Sequence, residues 1–173
     1  AQIGSISAGS FASVTVAQIG SITSAQVAGL GSAQLAALVT AQVGAISTKD
    51  ISSFSTTQLA SLHVAGLSAA QVSSLTSTQV GSISSTTFAS LSAAQISGIT
   101  SVQAAVLSSA QINSLNSAQV AALSTKDIPN LTTATLDNLS TATLGLMTYA
   151  QVSSMTSTQF GSLSTSQIQY LAV

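Results

Sequence analysis

The chain has 173 residues, 46% of them hydrophobic and 3% charged, and a net charge of −1, where an ordinary soluble domain is about 25% charged. The charges are Lys49, Asp50, Lys126, Asp127 and Asp137, with both lysines beside an aspartate, so no basic patch exists to hold nucleic acid or an anionic membrane. Cysteine is absent, which excludes disulfides and thiolate metal sites; no apolar run reaches the roughly 18 residues of a membrane span, and the chain is too hydrophobic for a disordered one.

Internal repetition sets the order of elements. Residues 1–6 (AQIGSI) are the last six positions of an octad seen whole in residues 23–30 (TSAQVAGL), 68–75 (SAAQVSSL), 108–115 (SSAQINSL) and 156–163 (TSTQFGSL). The octad reads Ser/Thr, any residue, small, Gln, Val/Ile/Leu, small, small, Leu/Ile. Twenty-two octads run from Ala1 to Leu171, followed by Ala172 and Val173. We read residues 1–173 as one continuous array, a fragment of a longer repetitive protein. Positions five and eight are apolar in every octad, with Ala104 the smallest at position five. Position four is Gln in fifteen octads and otherwise Ser10, Asp50, His63, Thr87, Asp127, Thr135 or Thr143. Position one, where present, is Ser, Thr or Asn except at Gly31 and Val39. Nine of the eleven glycines fall at positions six or seven, where small residues would let neighbouring backbones approach.

Along the chain the pattern departs from itself in a few places. Residues 47–51 (STKDI) put Asp50 in the Gln slot and return as residues 124–128. The irregular unit 63–67 (HVAGL) keeps positions four to eight and lacks the first three. His63 there reads as a substitute for Gln at a kink rather than as a ligand or pH sensor. Residues 70–74 (AQVSS) return as 150–154, which suggests a duplicated block of about ten octads. Pro129 at position six marks a bend or turn, since proline inside a helix costs about 3 kcal/mol. Met147 and Met155 fill the core at position eight. Tyr149 and Tyr170 are either adhesive contacts or tolerated surface residues. The glycosylation patterns at Asn130-Leu131-Thr132 and Asn138-Leu139-Ser140 are expected by chance in a chain this rich in Ser and Thr.

Eight residues at about 100° each make 800°, 80° past two turns, so a stripe of period eight would spiral around a continuous helix. The helix must break, and Ser/Thr-x-x-Gln before an apolar residue is the signature of a capped start. Thr23 with Gln26, Ser68 with Gln71 and Ser164 with Gln167 all fit. Asp50 and Asp127 place an acid in a first turn, where the helix dipole favours it. The expectation is an all-α solenoid of short capped helices, one of about six or seven residues per octad. With two octads per coil and about 8–10 Å between packed helices, it would form a rod on the order of 100 Å long. The alternative is a β-solenoid, favoured by Val, Ile, Thr and Ser but opposed by apolar spacings of three and five.

Catalysis needs positioned titratable groups, and this chain has three aspartates, two of them ten octads apart, and one His. We expect no enzyme, no catalytic, cofactor or metal residue, and no cofactor. Residues 115–123 (LNSAQVAAL) resemble the tandem Leu-(Ser/Thr)-x-x-Gln-(Val/Ile) units of very large repetitive proteins of Gram-negative bacteria, often labelled haem-utilisation or adhesion proteins. The resemblance covers essentially the whole chain and implies a secreted surface protein. The expected role is a structural segment of an extracellular filament or adhesin at the cell surface. Its main partner would be itself, through outward small residues such as Ala69, Ala93 and Ala118. Ice binding and a solitary adhesin stalk are the rival readings.

Overall fold

The computed structural model describes residues 3–171. Among these are nineteen α-helices of four to six residues and three 3-10 turns, Ile3–Ser5, Val64–Gly66 and Ile128–Asn130, with no strand. The chain forms two compact units, Ala1–Ile83 and Ser84–Val173.

One octad folds by two backbone closures. The position-five N–H donates to the position-one carbonyl four residues back, as in Phe11 to Ser7 and Val72 to Ser68. The position-eight N–H then donates to the position-five carbonyl three residues back, as in Leu30 to Val27 and Leu75 to Val72. The second closure is a 3-10 bond, which tightens and ends the helix. This is why most of the described helices have four or five residues, short of the six or seven expected, while five of them, such as Thr40–Ala45 and Ser117–Ala122, reach six. Position eight and the next position one are then extended, as at Ile46 (φ −61°, ψ 131°) and Ser47 (φ −61°, ψ 139°). No described residue has a positive φ, so the corners need no glycine.

Octads pack against octads three places away. In the first compact unit Ala8–Ala12 contacts Ser32–Ala36, and Val16–Gly20 contacts Thr40–Ala45. In the second, Ala93–Ile96 contacts Ser117–Ala122, and Thr133–Asp137 contacts Ser157–Ser162. A coil therefore holds three octads, not the two expected. Two extended residues per corner turn the chain without reversing it, so three sides are needed to close a coil. The irregular residues 63–67 still make one side: Val64–Gly66 packs on Thr40–Ala45 in place of a helix. Pro129 likewise sits in a 3-10 turn, where its missing N–H breaks no helical bond.

Every buried hydrophobic side chain stands at position five or eight, from Phe11 to Leu171. Fully burying one such side chain is worth about 1.5–3 kcal/mol. The exceptions cluster in the first and last described coils: Ile6, Phe160 and Ile168 are each about 40% exposed. Met147 is buried and Met155 half-buried. Position three is exposed in every described octad that has one, whereas position two is half-buried in many. Of the three alanines expected to face outward, Ala118 does so; Ala69 and Ala93 are half-buried, and Ala70 and Ala94 beside them are the exposed ones.

The small residues at positions six and seven have a steric cause. A Cβ added at Gly4 would lie 2.5 Å from the Gly29 carbonyl oxygen, and one at Gly20 3.3 Å from that of Ala45. One at Gly145 would lie 3.3 Å from the Tyr170 oxygen. Each pair is three octads apart, so position six faces the position-seven carbonyl of the next coil.

Candidate functional site

The chemistry of this chain is concentrated in the position-four glutamine. In Gln151 the backbone N–H donates to Thr148 Oγ1 at 3.3 Å, while Oε1 accepts the Thr148 N–H at 2.9 Å. That is the expected capping box. The same pairing occurs at Thr15 with Gln18, Ser68 with Gln71, Thr76 with Gln79 and Asn116 with Gln119. Gly31 and Val39 have no side-chain acceptor, yet their N–H groups still donate to Gln34 and Gln42 Oε1 at 2.8 Å. The glutamine half of the box therefore survives without the hydroxyl half.

The other end of the amide was not anticipated. Gln151 Nε2 donates to the Val120 and Leu123 carbonyls at 2.7 and 2.8 Å. Gln58 reaches Val27 and Leu30 at 2.9 and 2.8 Å, and Gln159 reaches Ile128 and Leu131 at 2.8 and 2.7 Å. The acceptors are the position-five and position-eight carbonyls at the corner of the preceding coil. They lie 31 and 28 residues back, and 28 and 25 back for Gln79, whose path includes the irregular octad. One side chain thus starts its own helix and pins it to the coil beneath. Gln151 is 1% exposed, and no buried side-chain N or O among the described residues lacks a partner.

The substitutes at position four keep part of this function. Thr135 Oγ1 donates to the Leu107 carbonyl at 2.9 Å, a single bond 28 residues back. The exposed His63 ring has Nε2 3.1 Å from the Ala36 carbonyl, 27 residues back, so the imidazole occupies the place of the amide. Asp50 and Asp127 cannot donate and reverse the polarity. Ser24 Oγ donates to Asp50 Oδ1, and Ser101 Oγ donates to Asp127 Oδ1 at 2.8 Å. Both serines lie 26 residues back at position two. Asn113 makes a further bridge: Nδ2 donates to the Asn138 carbonyl at 3.1 Å, and Oδ1 accepts the Ser140 N–H at 2.9 Å.

Asp137 is exposed, Asp50 and Asp127 belong to different compact units, and no group of three His, Cys, Asp or Glu side chains among the described residues could hold a metal. Tyr149 and Tyr170 are 70% and 59% exposed. An open hollow of about 240 Å³ in the first coil is lined by Ile3, Ile6, Val14, Ile22, Gln18 and Gln26, among others. No described helix is long and apolar enough to cross a membrane.

A family model for the ALTTAQ repeat matches residues 105–133. Taken as one-letter codes, that description spells positions seven, eight, one, two, three and four of the octad, as in residues 114–119 (SLNSAQ). The chain is a repeat protein built from short helices. No curated protein and no solved structure matches it.

Proposed function

We propose that this array is a non-catalytic structural segment of a bacterial surface filament or adhesin, located outside the cell and associating laterally with copies of itself. One observation carries the reading. Position three is exposed in every described octad that has one, and eleven of the described residues there are alanine. A soluble monomer's surface is normally about 25–35% charged; the charged residues in this exposed row are Lys49 and Lys126. Alanine loses no side-chain rotamer entropy when covered, so such a row is inexpensive to bury against another. The resemblance to very large secreted repeat proteins, often labelled haem-utilisation or adhesion proteins, agrees with this role. Ice binding would favour a face rich in Thr, and position three carries Thr at Thr57, Thr78, Thr86 and Thr158 alone.

Sedimentation velocity of the purified chain over a wide concentration range tests the proposal. Lateral association predicts sedimentation that rises with concentration and is abolished by Ala70→Lys, Ala94→Lys and Ala118→Lys together. The far-UV spectrum should stay unchanged. A triple variant that associates as strongly as the parent would rule out this surface.

A further inference from the structure

One octad of the second compact unit has its valines turned outward. Residues 100–107 (TSVQAAVL) stand ten octads after residues 23–30 (TSAQVAGL), and the two are equivalent: Ser101 and Ser24 make the same bond to an aspartate. Between them the valine has changed place. The core slot at position five is Val27 in one and Ala104 in the other, while Ala25 and Gly29 at positions three and seven become Val102 and Val106. Val102 is 73% exposed and Val106 41%, and the smaller Ala104 is buried. An octad that puts its smallest apolar residue inside and two valines outside gives up burial, and local departures of this kind mark functional surfaces.

The Ser101 bond to Asp127 places this octad beside residues 124–131, on one side of the coil. That side also shows Lys126 and Pro129, both exposed and three residues apart. Asp127 follows Lys126 in sequence but is 5% exposed and accepts the Ser101 hydroxyl. The structure thus turns the acid inward and leaves the cation outside. The next side of the same coils is the opposite in both respects. Residues 108–115 and 132–139 meet there through the Asn113 to Asn138 bond. Their position-three residues, Ala110 and Ala134, are small and exposed, and Asp137, three residues and about one helical turn from Ala134, is the exposed one of the three aspartates.

We infer that the Val102/Lys126 side of one copy seats on the Ala110/Asp137 side of a second copy. Val102 with Lys126, and Ala110 with Ala134, are position-three pairs of the same spacing, 24 residues and one coil apart. With the two arrays parallel, Val102 and Val106 lie against Ala110 while Lys126 lies against Ala134, within reach of Asp137. Bulk then meets small side chains and a cation meets a carboxylate, which is the complementarity that fixes register between partners. Because the two sides differ, the contact is heterologous. Each copy keeps one of them open for a further neighbour, so assembly continues rather than stopping at a pair. The inference rests on the self-association proposed above for the identity of the partner, and adds which sides meet.

The experiment is sedimentation velocity of the whole chain and four variants, with far-UV circular dichroism to confirm that each folds. Lys126→Glu and Asp137→Lys, each alone, set like charges face to face and should weaken association by about tenfold. The two together in one chain exchange the charges and should restore association to within about twofold of the parent. Val102→Ala with Val106→Gly installs the residues of the equivalent octad, which this fold already carries, and should also weaken association by about tenfold. Single charge variants that associate like the parent overturn the pairing of these sides, as does a double charge variant that associates no better than the singles. A valine variant that associates like the parent overturns it as well. If association persists through all four variants and is abolished by Ala70→Lys, Ala94→Lys and Ala118→Lys together, the alanine row stands and this contact falls. An unmodified chain that stays monomeric at every concentration refutes self-association itself, and this inference with it.

Discussion

Replacing Gln151 by Glu changes one NH₂ group to an oxygen and little else in shape. The cap should survive, because Oε1 still accepts the Thr148 N–H at 2.9 Å. The two bonds to the coil beneath should not, because a carboxylate offers no donor to the Val120 and Leu123 carbonyls. A buried acceptor stripped of its partner costs about 1–3 kcal/mol. The Val120 oxygen keeps the Leu123 N–H at 3.1 Å, so its loss falls at the lower end. The pair together should cost about 2–4 kcal/mol at neutral pH, before any cost of placing a charge at a site 1% exposed. Burial against two carbonyl oxygens disfavours the ionised form and raises the new carboxyl above the ordinary value of about 4.3. A raised folded-state pKa gives a loss that is smallest below the unfolded value and grows as pH rises toward the folded one. Below about pH 4 the protonated O–H can still donate to one carbonyl. The assay is urea unfolding followed by far-UV circular dichroism at acidic and neutral pH, with amide exchange at Val120–Leu123 to detect local opening, since solenoids need not unfold as one unit. Gln18→Glu is the control: its Nε2 has no partner, so stability should stay within about 0.5 kcal/mol. Equal losses at both positions, or a Gln151→Glu loss under about 1 kcal/mol that ignores pH, would refute the idea that the amide pins the coils together.

Steric and polar contacts give further tests. Gly66→Ala would put a methyl 2.9 Å from Thr40 Cα and 3.1 Å from Val43 Cβ, and should lower stability by about 1–3 kcal/mol in the same unfolding assay. Gly161 has nothing within 4 Å and lies inside Ser157–Ser162, so Gly161→Ala should raise stability by about 0.5–1 kcal/mol. Ser101→Ala removes the donor to Asp127, which is 5% exposed, and should cost about 1–3 kcal/mol. Restoring the common residue with Asp127→Gln in that background should recover part of the loss, because the amide can bond backbone carbonyls instead of Ser101.

Much of this arrangement was legible in the octad itself. The period excluded a continuous helix, and the spacing of three between positions five and eight identified the core. Ser/Thr-x-x-Gln marked the helix starts. The number of octads per coil was not legible, because it depends on how far two extended residues turn the chain, and the capping pattern is indifferent to that angle. The backward bonds of the amide were missed although a signal was present. Capping boxes accept Glu as readily as Gln, yet all three acids here are aspartates and Glu is absent. A position that takes Gln fifteen times and Glu never is asking for the amide's hydrogens. The reversal at Asp50 and Asp127 was hidden for a related reason: their serine partners lie 26 residues away, too far to be told from the many other serines.

That separation bears on how such a chain grows. Ser24 with Asp50 and Ser101 with Asp127 are two copies of one donor–acceptor pair, each reaching across a full coil. Copying a single octad would leave an aspartate opposite whatever residue happened to lie below, and the buried carboxyl would lose its hydroxyl. Both members survive together only when the copied stretch spans the donor octad, the acceptor octad and the two between them. Gain or loss of one octad would also move every later residue to the next side of its coil, whereas gain or loss of three would leave each on its own side. A copied block that keeps such a pair intact is therefore longer than one coil, as the ten octads between the two pairs here are, even though the octad is what the eye finds first.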